Sequence, residues 1–431
     1  MQHDHASRPA HRWKVLAAGV AANAAFSVAF SGIPMTAVLM RSGYGLDNAT
    51  LGLVLGLMGL GIAVSELPWG LLTDRWGDRP VLLTGLGATA LALIAMALFA
   101  APSPRHVPGL GWLCGGLLLV GLLGGSVNGA SGRAVMSWFA EGERGLAMSI
   151  RQTAVPLGGG IGALVLPAVA LHFGFAAIYG LLAALCAISA LLAWAWICEP
   201  PAAPLPSGAK GGADEQRDEP LRDARIWRIV AGIGILCAPQ FAVLSFGTVF
   251  LHDFGHAGLA AISTTMVAVQ IGAMAMRVWS GRWTDRRRNR PTYLRACSAL
   301  SVLLFALLGG VALASEGSVG DSAALRFALI LLLAACGVCV SAWHGVAYTE
   351  LATLSGAARA GTALGMANTS VFAVCFLTPL AIPHLLTLQG WPLVWFAAAA
   401  CALVALPLLV PPVPRRQAQA KASNAALSRS T

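Results

Sequence analysis

The sequence predicts an all-α membrane protein with twelve transmembrane helices in two pseudo-symmetric six-helix bundles. Three observations carry the prediction. The chain of 431 residues is 57% hydrophobic and only 11% charged, whereas soluble domains carry roughly 25% charged residues. Apolar runs long enough to cross a bilayer, about 20 residues each, recur along its whole length. The loops between those runs repeat in the second half of the chain.

The runs fall at 14–39, 48–72, 80–101, 110–139, 145–172, 175–197, 226–251, 258–281, 292–314, 325–350, 361–386 and 391–411. Their richness in Gly and Ala suits close helix packing in lipid. Residues 1–13 form a polar cytoplasmic segment. The apolar run after it shows no cleavage site, so it reads as a retained span and not a signal peptide. The first bundle is expected over 14–198 and the second over 226–412. The stretch 199–225, rich in Pro, Gly and charge, reads as a cytoplasmic linker. Residues 413–431, "VPRRQAQAKASNAALSRST", read as a polar cytoplasmic tail.

The net charge of +10 does not read as a nucleic-acid footprint, because the basic residues sit in short loops between apolar runs. With both termini cytoplasmic, 22 of the 28 Lys and Arg lie on the cytoplasmic side, and three (Arg41, Arg105, Arg326) lie opposite. Positive residues stay inside, so this orientation follows, with a multi-pass protein in the plasma membrane. Composition rich in Ala, Gly and Arg suggests a GC-rich bacterium and hence an inner membrane. The nine cysteines lie in or beside apolar runs, and Cys336-x-x-Cys339 inside one run reads as small apolar packing. No metal, cofactor, nucleotide or nucleophile–base motif is present, so no enzyme is expected. A sensor or scaffold would need a sizeable soluble domain.

The repeat is explicit. "GLLTDRWGDRP" at 70–80 matches "GRWTDRRRNRP" at 281–291: Gly70, Thr73, Asp74, Arg75, Arg79 and Pro80 against Gly281, Thr284, Asp285, Arg286, Arg290 and Pro291, each 211 positions on. "GLAMSIRQT" (145–153) matches "GTALGMANT" (361–369) at an offset of 216. Duplicated six-helix halves are a signature of secondary transporters. The pattern G-x-x-x-D-R-x-G-x-R between the second and third runs resembles the hallmark loop of the major facilitator superfamily, and the resemblance covers the whole chain. It implies two bundles rocking about a central cavity. It also implies that Asp74 caps a neighbouring helix while Gly70 allows close helix approach. Arg75 and Arg79 belong to the same conformational device, with Gly281, Asp285 and Arg286 in the second copy. That copy departs from the pattern where Arg288 replaces the second glycine.

Charge inside a lipid span costs at least about 2.5–3.5 kcal/mol, which marks the few such residues. Glu66 and Arg277 are 211 positions apart, so they are repeat-equivalent and opposite in charge. A guanidinium offers a planar fork that fits a carboxylate. Arg277, four residues before Gly281, also resembles the substrate-binding arginine of monocarboxylate transporters and oxalate–formate antiporters. Arg151 lies just inside the fifth run and is expected in the cavity or in an ion pair with Glu66 or Glu141. Gln152, His344, Tyr348, Asn23 and Gln240, with Ser27, are candidate cavity donors. Arg133 is expected to be structural, and His252, Asp253 and His256 to form an ordinary outer loop.

The expected function is alternating-access, proton-coupled transport of a small organic anion such as a monocarboxylate. Arg277 would bind it and Glu66 would carry the proton, in a protein acting as a monomer. The alternative is a proton antiporter exporting drugs or amphipathic metabolites. Its fifth-span proline–glycine motif is only partly matched, since Val155 precedes Pro156.

Overall fold

A computed structural model describes residues 8–103, 106–139, 144–198, 222–315, 322–355 and 360–409. The expected tail, most of the linker and the start of the N-terminal segment lie outside these residues. The described residues are helical throughout, apart from short connections and one isolated bridge between Ser103 and His106. Ten helical stretches are long and apolar enough to cross a membrane. Large apolar side chains such as Leu67, Leu98, Leu164 and Phe173 face outward. Water would penalise such a surface and lipid does not.

In chain order the helices are α1 (Arg8–Gly32), α2 (Ala37–Tyr44), α3 (Asn48–Trp76), α4 (Asp78–Phe99), α5 (Leu110–Gly124), α6 (Ser126–Trp138) and α7 (Arg144–Gln152). They continue with α8 (Ala154–Trp196), α9 (Ala224–Val249), α10 (Leu259–Arg287), α11 (Arg290–Ala314), α12 (Ala323–Ser341), α13 (His344–Ser355) and α14 (Ala360–Leu408). A 3₁₀ turn at Ile33–Thr36, set by Pro34, joins α1 to α2. A π-type turn at Phe250–Phe254 ends α9. Asp47 starts α3 by accepting the Thr50 amide at 2.7 Å, and that bond holds its carboxyl below the usual carboxylate range.

Two helices are much longer than a bilayer needs, α8 with 43 residues and α14 with 49. Each is interrupted by non-helical backbone. In α8 the interruption is Gly174 (φ 78°, ψ −178°). In α14 it is Gln389 with Gly390 (φ 67°, ψ −158°). Positive φ of this kind is sterically open to glycine and closed to most other residues. Gly174 and Gly390 are 216 positions apart, the offset already found in the sequence, so the chain bends at repeat-equivalent places.

Within the first repeat α1 packs on α8, α3 on α5, and α4 on α5, α6 and α8. Within the second, α9 and α11 pack on α14 and α10 on α12. Two seams join the repeats. Along the first, α3 lies against α14, with Gly52, Gly56 and Gly59 facing Pro379, Phe376 and Cys375. A Cβ on Gly52 would collide with the Pro379 carbonyl. Along the second, α8 lies against α10, where Gly159 and Gly160 make room for the Gln270 side chain.

Candidate functional site

The seams bring the rare polar side chains to one place. Glu66, on α3, is buried, and its Oε1 accepts a hydrogen bond from Asn368 Nδ2 of α14 at 3.1 Å. Asn368 Oδ1 in turn accepts the Tyr348 hydroxyl of α13 at 2.9 Å. An amide with its nitrogen toward a carboxylate and its oxygen toward a phenol is bonded at both ends and fixed in orientation. Tyr348 neighbours Arg277 of α10, as do Cys237 and His344. The Arg277 Nη1 reaches the carbonyl of Gln152 at 3.4 Å, and its Nε reaches the carbonyl of Ser341 at 3.5 Å. Both contacts are long for a guanidinium, so much of its hydrogen-bonding capacity is left unspent.

Arg151 closes the ring. It is buried at the end of α7, where Nη2 donates to the Asn128 carbonyl at 2.7 Å, and Nη2 and Nε donate to Ser131 Oγ at 2.8 and 3.0 Å. Its charge and the Asn128 side chain both act on Glu66. Glu141, the other partner considered for Arg151, lies outside the described residues. Glu66 thus lies in the field of Arg151, and Asn368 and Tyr348 link it to the neighbourhood of Arg277.

His344 stacks on Trp343 at 3.8 Å and lies nearly parallel to Tyr348 at 6.3 Å. Gln152 meets the cluster through its backbone. Asn23 and Gln240 are buried, and Asn23 Nδ2 and Gln240 Oε1 have no hydrogen-bond partner among the described residues. Unpartnered buried polar atoms are rare in folded proteins and call for an explanation. Ser27 packs at Gly158. The thiols of Cys237 and Cys375 lie 3.9 Å apart beside Arg277 and Tyr348.

At the end of the bundle beyond α2 and α9, Arg41 grips Asp253 with both terminal nitrogens, at 2.5 and 2.6 Å. Asn48 Oδ1 and His252 Nδ1 complete this cluster at 3.0 and 2.7 Å. A cavity of about 390 Å³ lies beside it, lined by Val38, Leu39, Arg41, Ser42, Leu46, His252 and Leu259. The reading of His252 and Asp253 as an ordinary loop is therefore corrected. Asp253 is drawn into a two-pronged pair by an arginine from the other repeat.

At the opposite end Arg133 donates to the Thr73 carbonyl at 2.5 Å and pairs with Asp78 at 3.5 Å. A cation on the last carbonyls of α3 suits the negative end of the helix dipole, which makes its role structural. Arg79 donates to the Trp194 carbonyl at 2.7 Å, and Arg75 is exposed. Asp74 lies on α3, but its side chain falls outside the described residues.

The sequence model of the Major Facilitator Superfamily matches residues 17–323. The chain belongs to the Major Facilitator Superfamily. It is 30% identical over 411 residues to an MFS-type transporter of Mycobacterium tuberculosis, covering 93% of this chain and 86% of that one. A glycerol-3-phosphate transporter of Haemophilus influenzae matches at 31% over 128 residues, 30% of this chain and 26% of its own length. The crystal structure of a D-xylose–proton symporter superposes with TM-score 0.75 at 15% identity, covering 93% of this chain and 98% of that one. The protein is thus a multi-pass membrane transporter.

In this superfamily member the hallmark loops do not make every contact the resemblance implied. A Cβ at Gly70 or Gly281 would meet nothing within 4 Å. The close approach expected at Gly70 occurs instead along Gly52–Gly59, nearer the other end of α3. Asp285, near the end of α10, accepts a hydrogen bond from Arg290, the first residue of α11, at 2.9 Å. Arg290 also reaches Thr353 on α13 at 3.2 Å, and Arg286 is exposed. The site residues missed in the sequence are Asn368, Asn128 and Ser131. Asn368 carried one signal, as the repeat counterpart of Gln152.

Proposed function

We propose that this transporter moves a small organic anion together with protons by alternating access. Its twelve spans would form two six-helix bundles, 14–198 and 226–412, joined by a cytoplasmic linker at 199–225. The 43 residues of α8, as one unbroken helix, would span about 65 Å at 1.5 Å per residue, about twice the hydrocarbon core. The breaks at Gly174 and Gly390 therefore support reading ten helices as twelve spans. The charge asymmetry of the loops supports cytoplasmic termini in a bacterial inner membrane.

One observation carries the choice of an anion. The repeat-equivalent pair Glu66 and Arg277 reach the same cluster, and Arg277 spends its donors on two long backbone contacts. An incoming carboxylate would replace those contacts with two short charge-assisted bonds. Glu66 is the competing anion in the cluster. Ionised, it shares the field of Arg151 and Arg277 with the substrate; protonated, it leaves both guanidinium groups to the substrate. Proton and anion then favour each other's binding, which is the reciprocity that coupling requires. The glycerol-3-phosphate named for the Haemophilus relative is also an anion. Asn23, Gln240, His344 and Tyr348 would contact the rest of the substrate. Arg41 with Asp253 would latch the outer end, and the loops at Gly70–Arg79 and Gly281–Arg286 would work the cytoplasmic end.

The test is uptake of labelled carboxylates into proteoliposomes under an imposed pH gradient. Acid outside should drive accumulation. Transport untouched by both Arg277→Lys and Glu66→Gln would refute the mechanism. Competition by lipophilic cations, with none by carboxylates, would favour drug export.

A further inference from the structure

The two copies of the repeated loop have diverged in one direction. Residues 70–80 hold two arginines and two aspartates, while residues 281–291 hold five arginines and one aspartate. In the first copy the chain leaves α3 at Gly77, with φ 86°. The residue 211 positions on is Arg288, which ends α10 in the left-handed region at φ 50°, ψ 38°. That region suits glycine and crowds any Cβ. The second copy therefore retains an arginine where its own backbone geometry asks for glycine.

The charges of the two copies are also spent differently. In the first, Asp78 pairs with Arg133 and Arg79 reaches the Trp194 carbonyl, so both are tied to the protein. In the second, only Arg290 is tied down, by Asp285 and Thr353. Arg282, Arg286, Arg287, Arg288 and Arg295 are exposed. Among the described residues, the side chains of Arg282, Arg286, Arg288 and Arg295 make no hydrogen bond or ion pair. Arg287 lies 6.0 Å above the Trp283 ring. Trp283 stacks on Trp279 at 5.7 Å, and Tyr293 closes the aromatic group at 6.0 Å from Trp283. Trp279 is half exposed, and Val278 and Ile271 of α10 also face outward. Amphipathic rings at the end of an apolar, outward-facing helix mark headgroup level.

We infer that this face binds the phosphodiester headgroup of an anionic phospholipid. The Trp279–Trp283 ledge would lie along the upper acyl chain, and Arg282, Arg286, Arg287, Arg288 and Arg295 would surround the phosphate. The guanidinium fork matches phosphate oxygens two at a time. A soluble anion would gain nothing from the ledge or from the lipid-facing side of α10, and it would meet these arginines fully hydrated. The retained Arg288 is explained as a charge kept for this ligand against the preference of its backbone.

The experiment titrates the purified full-length protein in neutral detergent with short-chain phosphatidylglycerol and follows the thermal midpoint. Short-chain phosphatidylcholine and inorganic phosphate are the parallel arms. Phosphatidylglycerol should raise the midpoint saturably, and the other two should not. Each arginine lost should weaken the apparent affinity about fivefold, so Arg287→Gln/Arg288→Gly/Arg295→Gln should weaken it about 100-fold. The matching triple lysine variant should retain most of it. Should the triple glutamine–glycine variant not fold, Arg288→Gly alone decides. It should raise the midpoint in lipid-free detergent by removing the crowded Cβ, and lower phosphatidylglycerol affinity about fivefold. Unchanged affinity in these variants overturns the proposal, as does equal stabilisation by phosphatidylcholine. Equal stabilisation by inorganic phosphate would replace the lipid with a soluble anion. None of these readouts depends on Arg277 or Glu66, so transport of an anion and binding of a lipid stand or fall separately.

Discussion

The two repeats share a backbone and differ in chemistry. Gly174 and Gly390 bend the chain at equivalent places with nearly the same dihedral angles. The loops at 70–80 and 281–291 match at an offset of 211, and Glu66 and Arg277 hold matching positions at the same offset. Yet Glu66 answers Arg277, Arg151 answers Ala367, and Asn128 answers His344. Duplication fixes where a side chain can stand, and divergence then gives each repeat half of the proposed site. A buried charge that faced an identical copy of itself would be repelled. Opposite charges at matched positions can meet, and here they do so through Asn368 and Tyr348.

The largest way to break this division of labour is to remove the charge of the second repeat. Arg277→Ala should lower transport efficiency by about two decades, and Arg277→Lys by about one, since charge-assisted bonds contribute about 1.5–3 kcal/mol and lysine lacks the fork. Initial rates in proteoliposomes measure both. An Arg277→Lys protein with wild-type rates would reduce Arg277 to a structural cation. Removing the charge of the first repeat should do something different in kind. Glu66→Gln should abolish accumulation driven by a pH gradient while preserving exchange of labelled for unlabelled substrate. If both activities fell together, Glu66 would serve binding or folding and not coupling.

How much of this was legible in the sequence follows from the same contrast. Charge in lipid is rare, so Glu66, Arg151 and Arg277 stand out, and the offset of 211 makes two of them partners from the sequence alone. Neutral polar residues are common in transmembrane helices. Nothing in their local sequence told Asn368 and Ser131 apart from Thr89 or Ser298, which are buried elsewhere. The breaks inside spans at Gly125, at Thr153 and between α12 and α13 were invisible for a related reason. A helix interrupted within a bundle keeps its apolar character, and hydropathy does not register it. The pairing of Arg41 with Asp253 depends on how two helix ends converge, which no local pattern encodes.

That pair sharpens the comparison at a third position. Arg41 and Asp253 hold the ends of α2 and α9 together across the repeats. A partly exposed ion pair contributes up to about 1 kcal/mol. Asp253→Asn should therefore open that end by up to about fivefold, read as faster labelling of the buried position Thr36→Cys by a membrane-impermeant maleimide. The exchange Arg41→Asp with Asp253→Arg should restore slow labelling. Labelling unchanged in the single variant would mean that the apolar contacts along Gly52–Gly59 alone keep this end shut.

The smallest expected effect is the most discriminating. Tyr348→Phe keeps the ring against His344 and removes only the hydroxyl that Asn368 Oδ1 accepts. One such bond contributes about 1 kcal/mol, so the change should be about fivefold or less. What matters is which activity changes. If Tyr348 and Asn368 are the path by which Glu66 and Arg277 sense each other, gradient-driven accumulation should fall while exchange and thermal midpoint stay near wild type. With the hydroxyl gone, Asn368 loses its fixed orientation, and its amide no longer distinguishes an ionised Glu66 from a protonated one. If the hydroxyl merely satisfies a buried amide, the midpoint should drop and both transport modes should decline in step. The first result would place the coupling between the repeats in two neutral side chains, leaving Glu66 and Arg277 to supply only its two charges.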